Sequence, residues 1–259
     1  MKKSRKAAIV ILILISVVCV GLIGVYYWKQ HQNQDVYEKM QKQVEEDKPK
    51  ELPEEEEEEE GVEIPIDFAE LQKVNPDIYA WIQIDGTNVN YPIVQSPNDD
   101  GYYLMHTVER KEGYPGSIYT ERCNKKDFTD FNTLIYGHDM LDGSMFQNLH
   151  NYSDEEYMKT HSEVIIYTPE RKFTYKVFAA VVYDDRHIMN SFDFQKTEAR
   201  QTFLDSIFGS RNMSNVIDSS VTVDTDSRII TLSTCIGSQP NNRFLVEAVL
   251  QNEQKKKIE

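Results

Sequence analysis

A chain of 259 residues with 40% hydrophobic and 11% aromatic content carries enough apolar side chain for a buried core, which excludes a wholly disordered protein. The net charge of −15 is unevenly spread: Lys2, Lys3, Arg5 and Lys6 make the first 28 residues +4, leaving −19 on the rest. A surface that acidic repels phosphate backbones, so no nucleic-acid partner is expected, and an anionic substrate would need a local basic patch.

The 22 residues from Ala7 to Trp28 hold no charge and are dominated by Ile, Leu and Val. As a helix that length spans a hydrocarbon layer of roughly 30 Å. Tyr26, Tyr27 and Trp28 supply aromatic residues at its far end. The spacing therefore predicts a cytoplasmic basic segment at 1–6, a single transmembrane anchor at 7–28, and everything later outside the cell. A cleaved signal peptide would have a shorter apolar run and a small-x-small site, and none follows here. A lipoprotein reading of Cys19 fails on Val17-Val18, where processing prefers a small residue.

Residues 29–61 hold 13 acids and 5 lysines, with Glu54 to Glu60 unbroken and Pro49 and Pro53 interrupting. Such a block self-repels, and it predicts an extended acidic stalk, with some helix within 33–47. The extracellular folded domain is expected over 62–259. Phe68, Leu71 and Val74 fit a short helix ending before Asn75-Pro76. Tyr79–Ile84 and Thr87–Val94 read as strands joined by a tight Asp85-Gly86 turn. Further strands are expected at Gly116–Thr120, Asn132–Tyr136, Val164–Thr168, Phe173–Tyr183, Arg228–Thr234 and Phe244–Leu250, with a reversal at Thr168–Arg171. One or two short helices fit Leu141–Met158. Apolar residues at helical spacing from Thr197 to Phe208, with Gly209 as a stop, predict a longer one. Many short strands with few helices predict a mainly β fold, a closed or nearly closed barrel decorated by helices. No metal-spacing cluster or phosphate loop is present, so no metal and no cofactor are expected.

Arg228–Leu250 reads strand, seven-residue loop, strand. Alternation turns Thr231, Ser233 and Cys235 one way and Leu232 and Thr234 the other. Arg243, opening the second strand, then stands beside Cys235. A fixed cation favours thiolate over thiol and can hold a developing oxyanion. A thiol nucleophile also needs a base. His106, His138, His150, His161 and His187 are all available beyond the stalk, and spacing cannot choose among them.

Thr231-Leu232-Ser233-Thr234-Cys235 followed by Arg243 resembles the active-site signature of the sortase family, Thr-Leu-x-Thr-Cys with an Arg opening the next strand. Leu134-Ile135-Tyr136-Gly137-His138 is similar to the segment carrying that family's histidine, and Trp81–Val94 to its opening hairpin. The likeness runs over roughly 65–250. It implies a closed eight-stranded sortase-type β-barrel and a cysteine transpeptidase, with Cys235 as nucleophile, His138 as acid/base and Arg243 as oxyanion stabiliser. Thr234 would line the site and Ser233 would contact substrate. Class B looks closest, because it adds N-terminal helices and a long helix between strands 6 and 7. The implied partners are secreted proteins with a C-terminal sorting signal, cleaved after Thr through a thioester, and a peptidoglycan cross-bridge amine. Cys123 lies outside the pattern and is expected to be a free thiol. The rival readings are another cysteine acyl-transferase acting on wall peptides, or a non-enzymatic acidic surface module on a stalk with Cys235 buried.

Overall fold

The computed structural model describes residues 2–46 and 61–257, with side chains of 2–8 and 46 left aside; the Glu54–Glu60 run lies outside the described residues. Helix α1 (Lys2–Glu46) is one continuous element of 45 residues. Its apolar part is the single described helix long and apolar enough to cross a membrane, which makes it a candidate span.

The stalk expectation fails for the end of that helix. Tyr37, Met40 and Val44, spaced at helical intervals on one face, are buried in the same core cluster as the domain. Tyr37 donates its hydroxyl to the Gly116 carbonyl and accepts from the Val108 amide at 3.0 Å. Composition hid this face. The charged residues between the buried positions dominate the count, while three apolar side chains at the right spacing decide the packing.

After α2 (Phe68–Val74), capped by Asp67 accepting from the Glu70 amide, come β1 (Ile78–Gln83), β2 (Asn90–Val94), β3 (Ile118–Thr120) and β4 (Asn132–Tyr136). A 3-10 segment (Gln147–Ser153) and α3 (Glu155–Thr160) fill the stretch expected to hold short helices. Strands β5 (Glu163–Tyr167) and β6 (Arg171–Asp184) follow, then α4 (Ile188–Ser191), α5 (Thr197–Phe208), β7 (Val216–Ile217), β8 (Ile229–Cys235) and β9 (Asn242–Lys255).

Eight strands close a ring in the order β1-β2-β3-β4-β8-β9-β6-β5, because β5 pairs back with β1; the two-residue β7 adds to the free half of β6. The β1–β2 turn is wider than a two-residue hairpin. Thr87 accepts from the Val89 amide and donates to the Ile84 carbonyl, so its side chain takes a place in the ladder.

Alternation along the strands sorts side chains into two apolar layers. Ile135, Leu232, Phe244 and Val246 belong to the main buried cluster that includes the barrel interior. Their neighbours Leu134, Ile229 and Leu245 face outward, under Phe203, Leu204 and Ile207 of α5. Fully burying three such side chains stabilises the α5 layer by several kcal/mol, at roughly 1.5–3 kcal/mol each. One strand, β8, therefore has a core on both faces, and it carries the motif.

Candidate active site

All of β8 is buried except its last residue, Cys235, which is exposed. The antiparallel register sets Cys235 opposite Arg243 on β9, and Ser233 opposite Leu245. On the other side β4 runs parallel to β8, with Tyr136 opposite Ser233 and the Gly137 amide donating to the Ser233 carbonyl at 3.1 Å. Two residues beyond these partners lie His138 and Cys235. His138 thus follows the end of one strand flanking β8, and Arg243 opens the other, whose backbones run about 4.8 Å to either side.

The loop around His138 is crowded. A Cβ on Gly137 would stand 2.5 Å from Ile118 Cδ1 and 2.6 Å from Phe146 Cγ, so the chain can leave β4 here only through a residue without one. The Phe146 amide donates to the His138 carbonyl at 3.0 Å, and Tyr114 lies against the ring with centroids 5.1 Å apart. His138 Nε2 is 2.6 Å from the Leu104 carbonyl. A carbonyl can only accept, so Nε2 carries the proton and the lone pair of the neutral ring sits on Nδ1.

Arg243 Nη1 donates to the carbonyls of Pro240 (3.0 Å) and Asn242 (2.8 Å), folding the guanidinium against its own loop. Among the described residues no carboxylate lies within ion-pair distance of it, although Glu121, Asp184 and Asp185 line the same cavity. Tyr136, Ser233 and Arg243 share a cavity of about 180 Å³ with Glu121, His187 and Ile188. Ser233 is nearly buried and lines that cavity. Thr234 does not: alternation turns it into the barrel wall, where its Oγ1 is buried and without a partner.

Two features had no signal in the chain. His150 Nε2 donates to the Cys235 carbonyl at 3.0 Å, lies 3.4 Å from Asp139 Oδ2, and its ring rests on Phe244. It steadies the backbone at Cys235 from a 3-10 segment 85 residues away. Deeper in the outer layer, the Thr231 hydroxyl sits between the Asn132 amide (2.9 Å) and a carboxyl oxygen of Glu247 (2.8 Å), a polar rung across β4, β8 and β9. Burial pushes the Glu247 carboxyl up to about 8.

Cys123 is a free thiol, as is Cys235. Its Sγ is 3.7 Å from Glu121 Oε2, and burial of the sulfur together with the Glu121 and Asp100 charges pushes the thiol up to about 11.

An exposed strand-end cysteine between a histidine and an unpaired arginine defines a cysteine acyl-transferase, and it is the opposite of the buried cysteine that the surface-module reading requires. Nor does Cys235 open a helix, as a papain-like enzyme would need. Residues 82–251 match the Sortase domain family. The chain is 34% identical over 173 residues to sortase B of Listeria monocytogenes, covering 67% of this chain and 68% of that one. To sortase B of Staphylococcus aureus it is 32% identical over 183 residues, covering 70% and 73%. A solved Staphylococcus aureus sortase B–substrate complex superposes with TM-score 0.71 at 28% identity, covering 87% of this chain and 99% of that one. The chain belongs to the sortase family, as a class B-like cysteine transpeptidase.

Proposed function

We propose that Cys235 is the nucleophile, His138 the general acid/base and Arg243 the oxyanion donor of a two-step acyl transfer. The observation that carries this is the register: Cys235 is the exposed residue of β8, opposite Arg243 and level with His138. The Cys235 thiol gives its proton to His138, and the thiolate sulfur attacks the carbonyl carbon of a threonine in a C-terminal sorting signal. Arg243 holds the oxygen as it gains charge, and the C–N bond breaks as His138 delivers a proton to the leaving amine. A thioester remains. An incoming amine, that of a peptidoglycan cross-bridge, gives a proton to His138 as it attacks, and the thiol leaves as a thiolate. Water in place of the amine gives hydrolysis, the thiol-protease side of the same chemistry.

Ser233 contacts the substrate from the cavity it lines, and Thr234 supports the strand end from beneath. Lys2, Lys3, Arg5 and Lys6 keep the N-terminus cytoplasmic, with 7–28 as a single-pass anchor and the catalytic domain outside.

The test is product analysis by mass after incubating the enzyme with a sorting-signal peptide library and an amine. The expected outcome is a transpeptidation product with the native chain, none with Cys235→Ala, and most of the product with Cys123→Ala; the reverse cysteine pattern refutes the assignment. Arg243→Lys should lower turnover by about 10²-fold, because the fixed fork is lost. A rate within about threefold of native removes Arg243 from the mechanism.

A further inference from the structure

The loops around His138 leave apolar side chains partly exposed to solvent. Leu104 and Met105 are 42% and 41% exposed, Tyr114 is 38% exposed, and Leu141 is entirely uncovered. Tyr114 and Leu141 of this rim lie beside α1. Tyr26 and Tyr27 face Tyr114 and Leu141 across a cleft of about 530 Å³. Gln30 and Gln34 donate to the Asp142 carboxylate, and Asn33 donates to the Tyr114 carbonyl at 2.7 Å.

Those bonds fix the height of the rim along the helix. The uncharged run ends at Trp28, and at about 1.5 Å per residue Gln30 and Gln34 stand about 3 and 9 Å beyond it. The polar layer outside a bilayer's hydrocarbon is about 5–8 Å deep on each side, so the rim's attachment points run from within that layer to its outer edge. Asp142 is exposed but accepts from Gln30, Gln34 and Ser144, and Asp139 lies 3.4 Å from His150 Nε2, so both carboxylates have partners within the protein. Lys29, exposed at the same height, is a cation for phosphate headgroups.

We infer that the rim formed by Leu104, Met105, Tyr114 and Leu141 is a membrane-docking face that seats on the leaflet where α1 emerges and opens the Cys235–His138 site at headgroup height. It rests on the anchor reading above, and its occupant is the lipid surface. Substrate and acceptor tethered in that leaflet then reach the site by moving in its plane, with no need to extend outward.

The test uses the full chain in lipid nanodiscs with Cys19→Ser, Cys123→Ser and Cys235→Ala, carrying one environment-sensitive fluorophore. It is attached through Leu141→Cys, through Leu14→Cys inside the uncharged run, or through Met213→Cys on the fully exposed loop after α5. Nitroxide lipids should quench the probe at 14 from the acyl chains and the probe at 141 from the headgroup level, and leave the probe at 213 unquenched. A probe at 141 that behaves like the one at 213, while 14 is quenched, overturns the docking face and leaves the anchor intact. An unquenched probe at 14 overturns both. Shielding at 141 that appears without quenching, and grows with the number of chains per disc, means a second copy covers the rim, which also overturns the proposal. In the otherwise native enzyme, Leu141→Glu should lower turnover of a bilayer-tethered sorting peptide by about tenfold and leave a soluble peptide's turnover unchanged. Equal loss on both peptides overturns the proposal.

Discussion

Cys123 and Cys235 are both free and exposed, yet they stand in opposite electrostatic surroundings. Cys235 stands opposite Arg243 in the β8–β9 register, whereas Cys123 sits against Glu121 with Asp100 near by. The thiolate is the reactive form, so a thiol held at about 11 stays protonated and slow at neutral pH. Alkylation followed by mass spectrometry at about pH 7.5 should label Cys235 first. Labelling of Cys123 should climb as pH rises toward 11 and beyond; fast labelling of Cys123 at neutral pH would contradict the geometry. At this scale the chain displayed the Cys235/Arg243 pair through its strand-loop-strand pattern read as a hairpin, but not the role of His150. The hydrogen bond from His150 to the Cys235 carbonyl spans 85 residues and leaves no local pattern. Thr234 was read as lining the site from its place in the motif, while the same alternation rule assigned it to the barrel interior, and there the structure has it.

Among the elements, β8 and β9 join the site to the outer layer, and Glu247 is where that junction is most sensitive to pH. Its carboxyl titrates at about 8 in the fold against an ordinary 4.5 when unfolded. The folded state therefore binds the extra proton between these values. The stability from this group is fully present below pH 4.5 and is lost as pH rises toward 8 and past it. Glu247→Gln should flatten the fall in Tm between about pH 5 and 8 and give a Tm above native at pH 8, since the native cost there is of order a few kcal/mol. An unchanged Tm–pH curve would show that the carboxyl is hydrated. Element positions were largely legible. Thr197–Phe208 forms a helix with the predicted bounds, because apolar spacing and chain punctuation agree there. The last strand was cut short at Leu250. Its polar continuation is held by long-range pairing with β6, where Glu253 takes both Arg171 and Arg228.

For the whole molecule, the end of α1 belongs to the enzyme as much as to the anchor. Tyr37 packs edge-on against Tyr91 at 5.7 Å and bonds the loop that ends at Gly116, whose neighbour Tyr114 rests on His138. Tyr37→Ala should cost about 3–5 kcal/mol. Read as thermal unfolding of the full chain in detergent, that is a Tm lower by roughly 10 °C. An unchanged Tm would mean that the helix does not pack on the barrel.

The parallel pairing of β4 with β8 joins Asn132 to Ile229, residues 97 apart in the chain. Contacts of such separation form late, because a long loop must close before they stabilise anything. Arg243 lies further on still, in the final strand. A polypeptide that is still being made thus holds an imidazole and a thiol that cannot yet meet. Until its last segment slots in, the nascent transferase is chemically silent and has no means of acylating itself or its neighbours.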